Sequence, residues 1–264
     1  MMYYLLLFYF VSTINCYIIS DLNFNNINYS NFSEWKPVNS GNIPVSWDWR
    51  HLNMISPVKN QDTCNACWAF SAVANIESHL KIYLRQEEEL SEQFLIDCVG
   101  GGAGCGSASV LQTFGRIVAN LGGVLRSSDY TPYSSEQLPC FWHGHPKPIP
   151  VTGFRRVRSD EEDMARAVFK FGPLSAGINS ASMAKYKGGI DEPTDDLCSP
   201  KQLDHAILIV GYNVYLDHDT GKRVPYWIIK NSWGVEWGYD GFYYLVRGRN
   251  ACGIANDVSF AMVN

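Results

Sequence analysis

At 264 residues, with 46% hydrophobic and 14% aromatic content, the chain can bury a core as one large domain or two small halves, which excludes disorder as its default state. A formal net charge of -5 and the lack of any run of Lys and Arg with interleaved aromatics exclude a nucleic-acid partner.

Residues 1–16, MMYYLLLFYFVSTINC, form an apolar stretch of signal-peptide length, too short to span a bilayer comfortably. A secretory route is expected, to a lysosome-like vesicle or the extracellular space, with cleavage near Cys16 or, alternatively, an uncleaved anchor. No later stretch is apolar enough to cross a membrane, so no stable membrane association is expected. Residues 17–42 are polar, with Asn23, Asn25, Asn26, Asn28 and Asn31, and read as a short or truncated pro-segment. They carry two glycosylation sequons, at Asn28 and Asn31.

From Ile43 onward the sequence is aromatic and structured. Phe70, Val73, Ile76, Leu80, Tyr83 and Leu84 recur at helical spacing, which predicts a helix over Cys67–Leu84. A short helix is expected over Ser91–Cys98, and another over Ser107–Asn120, stopped by Gly122 and Gly123. After the proline-rich HPKPIP, a further helix is expected with Ser159 and Glu162 as a capping box and Gly172-Pro173 as its end. HAILIVGYNV, PYWIIKNSW and GFYYLVR then predict strands, the first two joined through the hairpin loop DHDTGK. A helical half at about 54–150 followed by a β half at about 151–264 implies an α+β fold of two subdomains with a cleft between them.

Removal of residues 1–16 takes Cys16 away and leaves seven cysteines. In an oxidising compartment an odd number implies three disulfides and one free thiol, either inert and buried or reactive. In QDTCNACWAF, Cys67 stands at a helix start, where unpaired N–H groups and the helix dipole favour a thiolate. Taken alone, Cys64 and Cys67 are equally compatible with a redox pair, half a zinc site or two structural residues. LDHA and KNSWG, at predicted strand ends, add an imidazole, His205, and an amide, Asn231, that can orient it. A lone His in an apolar strand is more often a core residue; joined to the other two segments it becomes the general acid and base.

With these segments the chain from about Ile43 to Asn264 resembles the papain-family cysteine proteases, most closely those of the cathepsin F kind. That likeness rests on DDLCSPKQLDHAILIVGY, VPYWIIKNSWGVEWGYDGFYYLVRG and NACGI. His205 lies 138 residues after Cys67, within the family's spacing of about 130–150, and Asn231 lies 164 after it, the excess matching a longer loop near Asp217–Arg223. The resemblance implies a papain-like fold, with a helical left half, a β-barrel-like right half and the active-site cleft between them. It also implies a cysteine endopeptidase with Cys67 as nucleophile, His205 as acid and base, Asn231 as orienter, and Gln61 with the Cys67 N–H as oxyanion donors. Trp233 would cover the catalytic hydrogen bond and Asp204 would tune the nearby charge. Implied disulfides join Cys64 with Cys105, Cys98 with Cys140, and Cys198 with Cys252, leaving Cys67 free. No cofactor or metal is implied. The implied partners are protein or peptide substrates and cystatin-type inhibitors, with the enzyme a monomer.

The substrate groove implied by the same resemblance comprises Asn65, Trp68, Ser107, Ala108, Leu203, Ala206 and Trp233, with Asp257 flooring the main pocket beside Ser109 and Gly177. Asp257 either meets a cationic side chain there or turns to solvent. The family usually has Gly-Ser or Gly-Gly where this chain has Asn65-Ala66, and Asn-Gly-Gly where Gly106-Ser107-Ala108 follows Cys105. These departures motivate the rival expectation of a silent binding or storage protein on the same scaffold.

Overall fold

Two features decide the architecture: a helix buried on every side, and strands whose side chains alternate between two buried faces. The computed structural model describes residues 41–100 and 103–263. The expected signal peptide, Cys16, both sequons and nearly all of the pro-segment lie outside the described residues.

In chain order the elements are β1 (Trp47–Asp48), α1 (Cys67–His79), α2 (Glu92–Cys98), α3 (Val110–Arg116), β2 (Gly123–Val124), β3 (Ile149–Pro150), β4 (Gly153–Arg156), α4 (Glu161–Phe171), β5 (Leu174–Ile178), β6 (His205–Leu216), β7 (Arg223–Lys230), β8 (Phe242–Val246) and β9 (Val258–Met262). One antiparallel sheet runs β4-β9-β5-β6-β7-β8, with β1 paired to β6, and β2 pairs separately with β3. The β6–β7 hairpin pairs from Leu208 opposite Lys230 to Leu216 opposite Arg223, with one shift of register between Ile209 and Gly211. The result is an α+β fold whose two larger cores lie on opposite faces of this sheet. Ala206 belongs to the core of α1, α2 and α3, with Trp68, Phe94 and Phe114. Its neighbours Ile207 and Ile209 point the other way, to Met164 and Val168 of α4 and to Tyr212, Trp227 and Tyr243.

Every residue of α1 is buried, so its polar groups must find partners inside the protein. The Ser71 hydroxyl donates to the Ile207 carbonyl at 2.8 Å, and Ser175 on β5 donates to the Ser71 carbonyl at 3.1 Å. The Asn75 side chain donates to the Pro173 carbonyl and accepts from the Ala261 N–H, both at 2.9 Å. These bonds fix the helix that carries Cys67 to the sheet that carries His205. The expected apolar face ends at Leu80 rather than Leu84: a π-helical turn follows, closed by left-handed Arg85, and leaves Tyr83 and Leu84 exposed. α3 also begins later than expected, at Val110, and continues through a second π turn to Leu121.

The α4 cap is corrected by one residue. The Asp160 carboxylate, not Ser159, accepts the N–H groups of Glu162 and Asp163, each at 3.0 Å, since Asp160 has the extended backbone a cap requires. Next to it, buried Glu161 accepts from the Trp227 indole at 2.7 Å and from the Gly248 and Asn250 N–H groups at 2.9 and 2.5 Å. One carboxylate thereby holds the loop leading to Cys252.

Disulfides join Cys64 to Cys105, Cys98 to Cys140, and Cys198 to Cys252. No described helix is long and apolar enough to cross a membrane, and no cluster of three or more His, Cys, Asp or Glu among the described residues could hold a metal ion.

Candidate active site

The first turn of α1 and the first residue of β6 meet where the helical core reaches the sheet. Ala66 occupies the helix N-cap position without a side-chain cap, so Cys67 begins a helix whose first amides and dipole remain available to an anion. The Cys67 sulfur accepts the N–H of Ala206 at 3.2 Å, which seats it beside the residue that follows His205.

In the full chain no described cysteine is a free thiol, Cys67 included; the free thiol expected from the sequence belongs to the chain without residues 1–16.

His205 is 2% exposed, and its Nε2 lies 2.7 Å from the Asn231 side-chain oxygen. An amide oxygen only accepts, so Nε2 carries the proton and Nδ1 is the basic nitrogen. Trp233 covers the ring with centroids 4.9 Å apart, and Trp237 meets Trp233 edge-on at 5.0 Å. Burial lowers the His205 pKa, while the Asn231 bond and the charge of Asp204 oppose that shift. The Asp204 carboxylate is held by the Ser180 N–H at 2.6 Å.

Gln61 is 5% exposed and restrained at every polar atom. Its N–H donates to the Ser232 carbonyl at 2.8 Å, and its side-chain oxygen accepts the Ser232 hydroxyl at 2.7 Å. Its side-chain nitrogen donates to the Cys64 carbonyl at 3.0 Å, which uses one of two N–H groups and leaves the other for a ligand. Ser232 was not among the expected site residues. Its signal was its place directly after Asn231 in KNSWG.

The expectation for Trp68 is corrected. It is wholly buried, and its indole donates to the Gly106 carbonyl at 3.1 Å, so it supports the segment 106–108 from behind instead of lining the groove. Gly106 is exposed, Ser107 half-buried and Ala108 buried, while Asn65 is half-buried two residues before Cys67.

The residues expected around Asp257 do come together. Asp257 is 9% exposed and accepts the Ser109 hydroxyl at 3.0 Å, while its main-chain carbonyl accepts the Gly177 N–H at 2.9 Å. Gly177 faces Ala206 across β5 and β6, and buried Leu203 shares a core with Ala206 and Ala108. Burial pushes the Asp257 carboxyl up to about 6.

Behind the site lies an ionic cluster that no sequence pattern announced. Buried Lys230, next to Asn231, donates to the Ser56 hydroxyl at 3.0 Å. Lys59, two residues before Gln61, meets Glu92 at 2.9 Å and Glu77 at 3.4 Å. Desolvation brings the Lys230 ammonium down to about 8.

Comparison with known proteins gives these contacts a context. The family described as papain family cysteine protease matches residues 43–262. Cathepsin F of Drosophila melanogaster is 36% identical over 228 residues, 86% of this chain and 37% of that protein. Cathepsin F of Mus musculus is 37% identical over 221 residues, 84% of this chain and 46% of that protein. The chain thus spans less than half the length of these two relatives. Among solved structures, digestive procathepsin L2 from Tenebrio molitor larval midgut matches with a TM-score of 0.83 at 31% identity, covering 95% of this chain and 78% of that one. Bromelain from Ananas comosus, solved with the E64 inhibitor, matches with a TM-score of 0.74 at 36% identity, covering 84% of this chain and all of that one.

Proposed function

The chain belongs to the papain family of cysteine proteases, and from that premise we propose that it is an endopeptidase that cleaves peptide bonds through a thioester on Cys67. The observation that carries this reading is the Asn231–His205 bond at 2.7 Å beside a Cys67 sulfur seated at 3.2 Å from the Ala206 N–H. We assign the protease unit to residues 43–264, with its helical half at about 54–150 and its β half at about 151–264.

Catalysis requires the Cys67 thiol in its reduced form. His205 Nδ1 then takes the Cys67 proton, and the thiolate gains from the helix N-terminus. The sulfur attacks the peptide carbonyl, and the developing oxyanion receives the second Gln61 side-chain N–H and the Cys67 N–H. The imidazolium gives its proton to the leaving amine, and the thioester remains. Water, losing a proton to His205, attacks the thioester carbon, and the expelled sulfur regains the thiolate state beside the imidazolium. Substrates are proteins or peptides, with cystatin-type proteins as inhibitors by family likeness, acting on a monomer. Three disulfides support a secretory route, ending in a lysosome-like vesicle or outside the cell.

Labelling tests the reading against a silent scaffold. Full chain treated with dithiothreitol is expected to bind E64 with one-to-one stoichiometry at Cys67 and to hydrolyse denatured protein. Untreated chain is expected to resist labelling. A reduced chain that takes up no E64 would establish the silent alternative.

We further assign to Asp257 the acceptance of Arg or Lys two residues upstream of the scissile bond, alongside bulky apolar side chains. A carboxylate 9% exposed that meets a cation gains a charge-assisted bond, worth about 1.5–3 kcal/mol. With its pKa about 6, the group is neutral in more acidic solution, where leucine is favoured, and charged above it. The Arg-to-Leu ratio of kcat/KM is expected to rise as pH passes upward through 6, and to fall about tenfold in Asp257→Ala at pH 7. A peptide library gives the ratio directly, and equal ratios in variant and wild type would remove the assignment.

A further inference from the structure

We propose that Tyr133 is a positioning residue for the oxyanion donor, tying the Gln61 loop to the helix that carries the nucleophile. The proposal rests on the endopeptidase reading above. Gln61 is strongly attached to the β half: its N–H and side-chain oxygen both bond Ser232, Asn60 bridges to Trp233, and the Gly234 N–H donates to the Lys59 carbonyl at 3.1 Å. Those bonds place it relative to Asn231 and His205. They do not place it relative to Cys67, which belongs to α1.

Several ties run the other way. The Lys59–Glu77 ion pair, the two Gln61–Cys64 bonds and the Cys64–Cys105 disulfide hold the ends of the loop. The tie made at the Gln61 main chain to the face of α1 is the Tyr133 hydroxyl, which donates to the Gln61 carbonyl, while its ring meets Phe70 edge-on with centroids 5.1 Å apart. Phe70 is 5% exposed and lies one helical turn after Cys67. The same carbonyl accepts the Cys64 N–H at 3.2 Å, so the Tyr133 bond completes its second lone pair. Asp62, the next residue, has a left-handed backbone with φ 47°, and its side chain accepts the Ser135 hydroxyl at 3.4 Å. The peptide after Gln61 is therefore held between a left-handed turn and a phenol, which fixes the main chain from which the Gln61 side chain departs. A displacement near 1 Å in an oxyanion donor is enough to cost much of its effect, because the bond matters only at the transition state.

Tyr133→Phe deletes the hydroxyl and keeps the ring on Phe70. In the reduced full chain the variant is expected to lose about tenfold in kcat for a peptide amide, with KM unchanged. Its rate of alkylation by iodoacetamide, and the pH profile of that rate, should match wild type, because alkylation uses the thiolate and imidazolium and develops no oxyanion. Tyr133→Leu, which also removes the ring contact, is expected to lose Tm as well. Three outcomes would overturn the proposal: an unchanged kcat in Tyr133→Phe, a loss confined to KM, or a parallel loss of alkylation. A wild-type chain that alkylates but does not hydrolyse peptides defeats the endopeptidase reading instead, and this inference with it.

Discussion

His205→Ala is expected to lower kcat/KM for peptide hydrolysis by about a thousandfold in the reduced full chain, within the ~100- to 10,000-fold range of positioned proton transfer. The loss has two parts. Without the imidazole, Cys67 keeps only the helix N-terminus and the Ala206 N–H to favour its anion, so its alkylation profile should move up toward the ordinary thiol range, about 8.5. The leaving amine also loses its proton donor, which alkylation does not need. The fall in hydrolysis should therefore exceed the fall in alkylation at pH 7. Asn231→Ala should give a smaller loss: the imidazole stays, but the 2.7 Å bond that fixes Nε2 as the protonated nitrogen is gone. Steady-state kinetics beside an iodoacetamide pH profile separates the two parts. Equal hydrolysis in His205→Ala and wild type would remove His205 from the mechanism.

Burial explains why this imidazole suits the task. Enclosure at 2% exposure, with Trp233 at 4.9 Å, lowers its pKa in the resting protein, so it stands neutral and ready to accept a proton. Once the thiolate forms beside it, the charge pair is shielded from water and each partner stabilises the other. Asp204, held at 2.6 Å by the Ser180 N–H, adds a fixed negative charge that resists the burial effect without competing for Nε2.

Residues whose role depends on short local spacing were legible in the chain. Cys67 at a helix start, His205 at a strand start and Asn231 in KNSWG each sit at an element boundary that side-chain pattern reveals. Strands β6, β7 and β8 announced themselves through β-branched and aromatic content. Strands β5 (LSAGI) and β9 (VSFAM) did not, because both are short and almost entirely buried, and a strand buried on two faces shows no alternation. Trp68 was misread because a residue one step beyond Cys67 on a helix points about 100° away from it, here into the core. Tyr133 lies 72 residues from Gln61 in a stretch without periodicity, so only the folded chain relates them.

Gln61→Ala is expected to reduce kcat by about a hundredfold to a thousandfold, the range for loss of one oxyanion donor. The Gln61 amide has two N–H groups and a fixed carbonyl. Ser232 at 2.7 Å determines which end of the amide is oxygen, and the Cys64 carbonyl at 3.0 Å takes one N–H. The remaining N–H is thereby oriented before substrate arrives, so little reorganisation is needed when the carbonyl oxygen acquires charge. Alanine abolishes that donor and leaves only the Cys67 N–H. Gln61→Glu should be as damaging, since a carboxylate places negative charge where negative charge must develop. Alkylation by iodoacetamide should stay within about twofold of wild type in Gln61→Ala, because the thiolate and His205 are untouched. Together with Tyr133→Phe this sets an order: deleting the donor costs more than loosening its support, and neither slows alkylation. A Gln61→Ala variant with wild-type kcat would show that the oxyanion is stabilised by main-chain groups alone, and would leave the five hydrogen bonds around Gln61 as architecture without a catalytic purpose.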